Sequence, residues 1–184
     1  MGDTRLLLTR TITTETRNPD GPENDKNKTL AVLLDNVRSA WNVGSILRSA
    51  DGFGFSHAFL CGITPTADHE AVAKTALGAE GSVPWSYHKD GLKLVKGLKD
   101  EGWKLYALEE DQRAVEISRA HSLRHAAGRK VLIVGNEVTG VDPQLLDLCD
   151  QILYIPMRGE KKSFNVAIAF GIAAYASSLQ KEGT

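Results

Sequence analysis

Two runs in this chain are apolar without interruption: Leu30-Ala-Val-Leu-Leu34 within Thr29–Leu34, and Val131-Leu-Ile-Val134 within Lys130–Val134. A strand with one wet face alternates apolar and polar side chains. A strand that does not alternate must be covered on both faces, as in a parallel sheet. Shorter strand-like runs occur at His57–Cys61, Ser82–Tyr87, Trp103–Leu108 and Gln151–Ile155, and Pro84 marks the second of these as an edge or irregular strand. Helical patterns lie between them. One runs through Ile46, Leu47 and Ala50 and is stopped by Gly52 and Gly54. Others cover Asp68 to Leu77, with Thr66 or Asp68 as the cap, and Gly91 to Asp100, amphipathic through Leu92, Val95 and Leu98. Pro143 opens a helix toward Leu148, and a closing helix ends near Gln180. Strands that alternate with helices predict an α/β domain: a mainly parallel sheet with helices on both faces.

In such sheets ligands bind at the loops leaving the C-terminal strand ends. Four polar loops qualify: 35–45, 108–113, 135–142 and 156–163. The last leads into Phe164 to Tyr175, which is apolar on nearly all faces and so is expected to be buried or shared between subunits. Ser163 is placed to cap that helix. Glu137 sits between Gly135 and Gly140, where it can meet a ligand or cap the following helix. Arg48 follows Trp41, Gly44 and Ser45 within two helical turns; it faces the cleft of the Asn42 loop or is a solvated arginine. His121 and His125 have a metal-like spacing, but Ser122 stands where a zinc protease motif needs glutamate, so they read as solvated. The segment from Arg113 to Lys130 carries Arg119, Arg124 and Arg129 against Glu116, and together with Arg158, Lys161 and Lys162 it is a possible source of phosphate contacts.

Composition narrows the classes. A length of 184 residues fits one domain with an extension, and the polar residues 1–28 read as a flexible N-terminal extension ahead of a folded domain at 29–184. Net charge is -1, so there is no global basic field, although a local patch suffices for nucleic acid. Cys61 and Cys149 have no metal-ligand spacing and read as reduced thiols of a cytoplasmic protein. The apolar run 164–176 is broken by Asn165 and Gly171 and falls short of the roughly 18 residues of a membrane span. Gly52-Phe-Gly-Phe-Ser lacks the third glycine of a dinucleotide fingerprint and follows a helix, and GxxxxGK[ST] is absent.

Three segments together resemble the SpoU/TrmH family of the SPOUT RNA methyltransferases. They are Asn36-Val-Arg-Ser-Ala-Trp-Asn-Val-Gly-Ser-Ile-Leu-Arg48-Ser-Ala-Asp-Gly-Phe-Gly, Val131-Leu-Ile-Val-Gly-Asn-Glu-Val-Thr-Gly-Val, and Ile155-Pro-Met-Arg-Gly-Glu-Lys-Lys-Ser-Phe-Asn-Val-Ala. They occur in the family's order, with Phe164 where the family more often has Leu and Ala167 where it has Ser. The resemblance implies a SPOUT fold whose C-terminal part forms a deep trefoil knot. It implies S-adenosylmethionine as cofactor, held near Leu108, Gly135, Asn136, Ile155, Met157 and Ser163, and no metal. The implied activity is methylation of a ribose 2′-hydroxyl of tRNA or rRNA by a homodimer. Arg48 is the catalytic residue implied, aligned by Asn42, Glu137, Ser163 and Asn165. A base-modifying member of the fold and a non-catalytic RNA-binding module are the alternatives. The first 28 residues are too short for the additional RNA-binding domain that some members carry.

Overall fold

Among the described residues, seven strands form one sheet in which every pair is parallel. They are β1 (Leu30–Asp35), β2 (Ala58–Cys61), β3 (Trp85–His88), β4 (Lys104–Leu108), β5 (Val115–Glu116), β6 (Lys130–Val134) and β7 (Gln151–Tyr154). The computed structural model describes residues 30–121, 123 and 126–179. The expected N-terminal extension, Arg124, His125 and the end of the last helix at Gln180 lie outside them. The spatial order is β3-β2-β1-β6-β4-β7-β5. The two uninterrupted apolar runs, β1 and β6, are neighbours at the centre, paired from Leu30 with Lys130 to Leu34 with Val134. β3 is an edge, as Pro84 indicated, and Pro84 retains a role because its carbonyl accepts from Ala58 N–H at 2.9 Å. The sequence reading missed β5, a two-residue strand inside the charged segment 109–129. So short a strand leaves no periodicity to read.

Both faces of the sheet are covered, which is why the central strands do not alternate. On one face Val32, Leu34, Leu60, Leu132, Val134 and Leu153 pack with the helices α1 (Ala40–Gly52) and α2 (Glu70–Ala76). The short helix α3 (Ala79–Ser82) joins them there. On the other, Leu33, Phe59, Leu105, Val131 and Ile133 pack with α4 (Gly91–Asp100) and α5 (Pro143–Leu146). The closing helix α6 (Val166–Ser178) lies on the α1 side, burying Phe170, Ala173 and Ala174.

Several local expectations are corrected. α1 starts at Ala40, capped by Ser39, so Asn42 is in the first helical turn and not in a loop. The cap of α2 is His69, whose side chain accepts from Ala71 N–H, and not Thr66 or Asp68. α6 is capped by Asn165, which accepts from Ala167 and Ile168 N–H at 2.9 and 3.4 Å. Ser163 is two residues too early, and the extended backbone of Asn165 aims its amide oxygen at the open helix end. Cys61 and Cys149 are free thiols, the first buried and the second half-buried. No described helix is long and apolar enough to cross a membrane.

Candidate functional site

A cleft of about 370 Å³ opens where β4, β6 and β7 end, on the side of the sheet where open α/β folds take ligands. Leu108 closes β4, Gly135 and Asn136 follow β6, and Ile155, Met157 and Ser163 belong to the loop after β7. All six line the cleft. Apolar walls come from Val134, Val166 and Ala169, and carboxylates from Glu109, Glu110 and Glu137; the lone ammonium among its described lining is Lys162.

The loop 135–142 is closed by a pair of bonds between Asn136 and Gly140, N–H to carbonyl in both directions at 3.0 and 2.9 Å. Gly140 has φ 72°, in the left-handed region. Gly135 needs its missing Cβ for a different reason: the carbon would collide with the backbone of Gly140 and Val141. The Asn136 side chain is committed within this loop. Its oxygen accepts from Val138 and Thr139 N–H, and its amide donates to the Asn36 carbonyl at 2.8 Å. Glu109, not singled out by sequence, supports the same loop. Its carboxylate accepts from Val141 N–H and Glu110 N–H, both at 2.9 Å. Its sole sequence signal was position, in a polar loop leaving a strand.

Glu137 caps a helix, but not the one that follows it; Asp142 caps α5. The Glu137 carboxylate accepts from Arg38 N–H at 2.9 Å, Ser39 N–H at 3.0 Å and the Asn42 amide at 2.9 Å. It thus satisfies the start of α1, nearly a hundred residues away. Burial pulls its carboxyl up, but the bonds from Arg38, Asn42 and Ser39 outweigh that, and the group is held below its ordinary range.

The bonds continue in one direction. A carboxylate only accepts, so Asn42 must turn its NH2 toward Glu137 and its oxygen away. That oxygen accepts from the Asn165 amide at 3.1 Å, leaving the Asn165 oxygen to cap α6. Glu137, Asn42 and Asn165 therefore join the β6 loop, α1 and α6 at the cleft's edge. Asn42 does not itself line the cleft.

Arg48 is not brought into this group. Six residues on a helix of about 3.6 residues per turn put it about 120° round α1 from Asn42. It is exposed, lines no part of the cleft and shares a face with Trp41 and Ser45. His121, Arg113 and Arg119 also lie away from the cleft lining, and Arg113 is held by Asp111 and Asp147.

The model of the SpoU rRNA methylase family matches residues 29–175. The chain belongs to this family. It is 34% identical over 146 residues to the 23S rRNA (guanosine(2553)-2′-O)-methyltransferase RlmP of Bacillus subtilis, covering 78% of this chain and 56% of that one. It is 28% identical over 163 residues to the tRNA (guanosine(18)-2′-O)-methyltransferase of Aquifex aeolicus, covering 85% and 72%. Among solved structures, an AdoMet-bound rRNA methyltransferase from Sinorhizobium meliloti superposes with a TM-score of 0.76 at 25% identity, over 85% of this chain and 57% of that one. The SpoU domain thus spans little more than half the length of the first of these relatives.

Proposed function

We propose that this SpoU-family chain transfers the methyl group of S-adenosylmethionine to a ribose 2′-hydroxyl of tRNA or rRNA. One observation carries the reading. The six residues for which the resemblance implied cofactor contact, distant in sequence, line a single cleft of about 370 Å³ at the strand ends. That size suits a small ligand. Its chemistry suits this one: apolar walls for an aromatic ring, carboxylates for a sulfonium and an ammonium, and Lys162 for a carboxylate.

When bound, the cofactor would supply an electrophilic methyl and be left as the neutral thioether, so the chain need only place the hydroxyl in line and pass its proton to solvent water. Orientation then supplies much of the rate. Glu137 is a poor candidate for the base, because three donors occupy its carboxylate and lower its proton affinity. A guanidinium stays protonated at working pH, so Arg48 acts best by clamping an RNA phosphate beside the reacting ribose. Its exposure and the absence of a carboxylate partner among the described residues leave it free to do so. Asn42, Glu137 and Asn165 hold α1 against the cleft, and Ser163 offers a hydroxyl within it.

The functional unit is a homodimer built on the outer face of α6, where Ile168 and Tyr175 are exposed, with Leu179 following them. The deep trefoil knot belongs to the same reading: the C-terminal part of the domain threads so that Ile155 to Asn165 close over the cofactor. A 3₁₀ turn, Ile117–Arg119, would flank the RNA path, and the enzyme works in the cytoplasm without a metal.

Titration calorimetry with S-adenosylmethionine tests the cofactor, and transfer of labelled methyl to bulk tRNA and rRNA, followed by digestion to nucleosides, tests the reaction. Labelled 2′-O-methylnucleosides are expected; label on a base refutes the ribose assignment. Arg48→Lys should keep cofactor affinity and lose at least about 100-fold in kcat/KM, since ammonium lacks the bidentate fork. Normal turnover by that variant removes Arg48 from the mechanism.

A further inference from the structure

Trp41 is the exception among the three tryptophans. Trp85 and Trp103 are 4% and 3% exposed, whereas Trp41 is 60% exposed. A lone exposed apolar side chain needs no explanation. Two further observations set this one apart.

The first is that its backbone is fixed. The Trp41 carbonyl accepts from Thr75 Oγ1 on α2 at 3.0 Å, and Ser39 and Glu137 hold the helix start just before it. The next residue, Asn42, reaches Glu137 and Asn165 at the rim of the cleft. An indole on this backbone stands beside the cleft without being part of its wall.

The second is the charge around it. Arg48 lies seven residues on, about two helical turns, and therefore on the same face. Arg38 lies three residues before, where the chain enters α1. Both are exposed, and neither guanidinium is paired with a carboxylate among the described residues. Glu137, whose carboxylate lies close by, takes the Arg38 backbone N–H and not its guanidinium. An exposed aromatic ring between two unneutralised cations fits single-stranded nucleic acid, whose bases stack on aromatic faces while phosphates meet the cations.

We propose that Trp41 is a stacking platform for an unpaired base flanking the target nucleotide, with Arg38 and Arg48 on the adjoining phosphates. The proposal rests on the RNA methyltransferase reading above and adds to it a residue that selects unpaired RNA. It gives α1 two uses: Asn42 keeps the helix against the cleft, and the neighbouring Trp41 presents the strand to it.

Because the other two indoles are buried, tryptophan emission in the full-length protein reports stacking at Trp41. Oligoadenylate, and separately a duplex of equal length, serve as probes. Oligoadenylate is expected to quench the wild type and the duplex to do so much less. Because the variants lack the reporting indole, their binding is read from the anisotropy of end-labelled oligoadenylate: Trp41→Ala should bind roughly ten-fold more weakly and raise KM for RNA with little change in cofactor affinity, and Trp41→Phe should restore most of the binding. Sedimentation of both variants checks the subunit state.

A wild type that methylates RNA, with Trp41→Ala equal to it in affinity and KM, overturns the proposal and leaves the methyltransferase reading standing. Dissociation of a wild-type dimer by Trp41→Ala also overturns it, making Trp41 a subunit contact. A wild type that neither binds nor methylates RNA refutes the underlying reading and the proposal together.

Discussion

Glu137 shows how a residue flagged for chemistry can serve geometry. Between two glycines it could have met a ligand or capped α5. Instead its carboxylate satisfies Arg38 N–H, Ser39 N–H and the Asn42 amide. Glu137→Ala leaves those donors to water and should cost about 1 kcal/mol in chemical denaturation, the usual size of a lost cap. Methylation should fall with it as α1 loosens. A rate loss with unchanged stability would instead mark Glu137 as a reacting group. His57 gives the pH dependence. Burial, reinforced by the neighbouring His88, lowers its pKa to about 4, and its Nε2 is bonded to Ser86 Oγ at 2.9 Å. An unfolded histidine titrates at about 6.5. As pH falls from there toward 4, the unfolded chain takes up a proton that the native chain refuses. The contribution, about 3 kcal/mol, is therefore complete above pH 6.5 and lost on acidification. Denaturation midpoints of the wild type should drop more steeply over that range than those of His57→Gln. Nothing in the sequence identified this histidine, because its burial is set by Phe59 and the two flanking strands.

At the scale of elements, α1 is the piece on which the site depends. Its core face was legible: Ile46, Leu47 and Ala50 are all fully buried. Its start was not, because the polar residues after Asp35 read as one loop. The start at Ala40 is fixed by Ser39 at the cap together with a carboxylate from beyond β6. Its contact with α2 was equally invisible. A Cβ on Gly44 would strike the Val72 carbonyl and Thr75 Oγ1, so the glycine is there for close helix approach, although its place in a helix lowers propensity. Gly44→Ala should cost about 1–3 kcal/mol, against the slight gain that alanine brings to an exposed helix position. Thermal denaturation decides between the two signs. The closing helix repeats the lesson. Its apolar character was plain, yet its cap is Asn165 and not Ser163, and the same Asn165 is the last member of the chain of bonds from Glu137.

For the whole molecule, α6 leaves Ile168 and Tyr175 exposed while it buries Phe170 and Ala174, and Tyr175 meets Phe53 edge to face at 6.4 Å. On the dimer reading, sedimentation of the full chain gives twice the monomer mass, and Ile168→Lys, which places an ammonium in that contact, gives monomers with little methylation. A wild-type monomer with full activity contradicts it. The alternation of strands and helices, the parallel sheet and the four candidate loops were determined by sequence alone. They follow from periodicity, from turn residues and from runs too apolar to face water, all of which are local properties. Three motifs in order also carried the family. The tertiary structure decided which loops converge. It excluded Arg48 from the cleft lining, committed the side chains of Glu137 and Asn136 to supporting the loops, and brought in Glu109. Such outcomes depend on contacts between residues as far apart as Asn42 and Asn165, and no local pattern records who will satisfy a given donor.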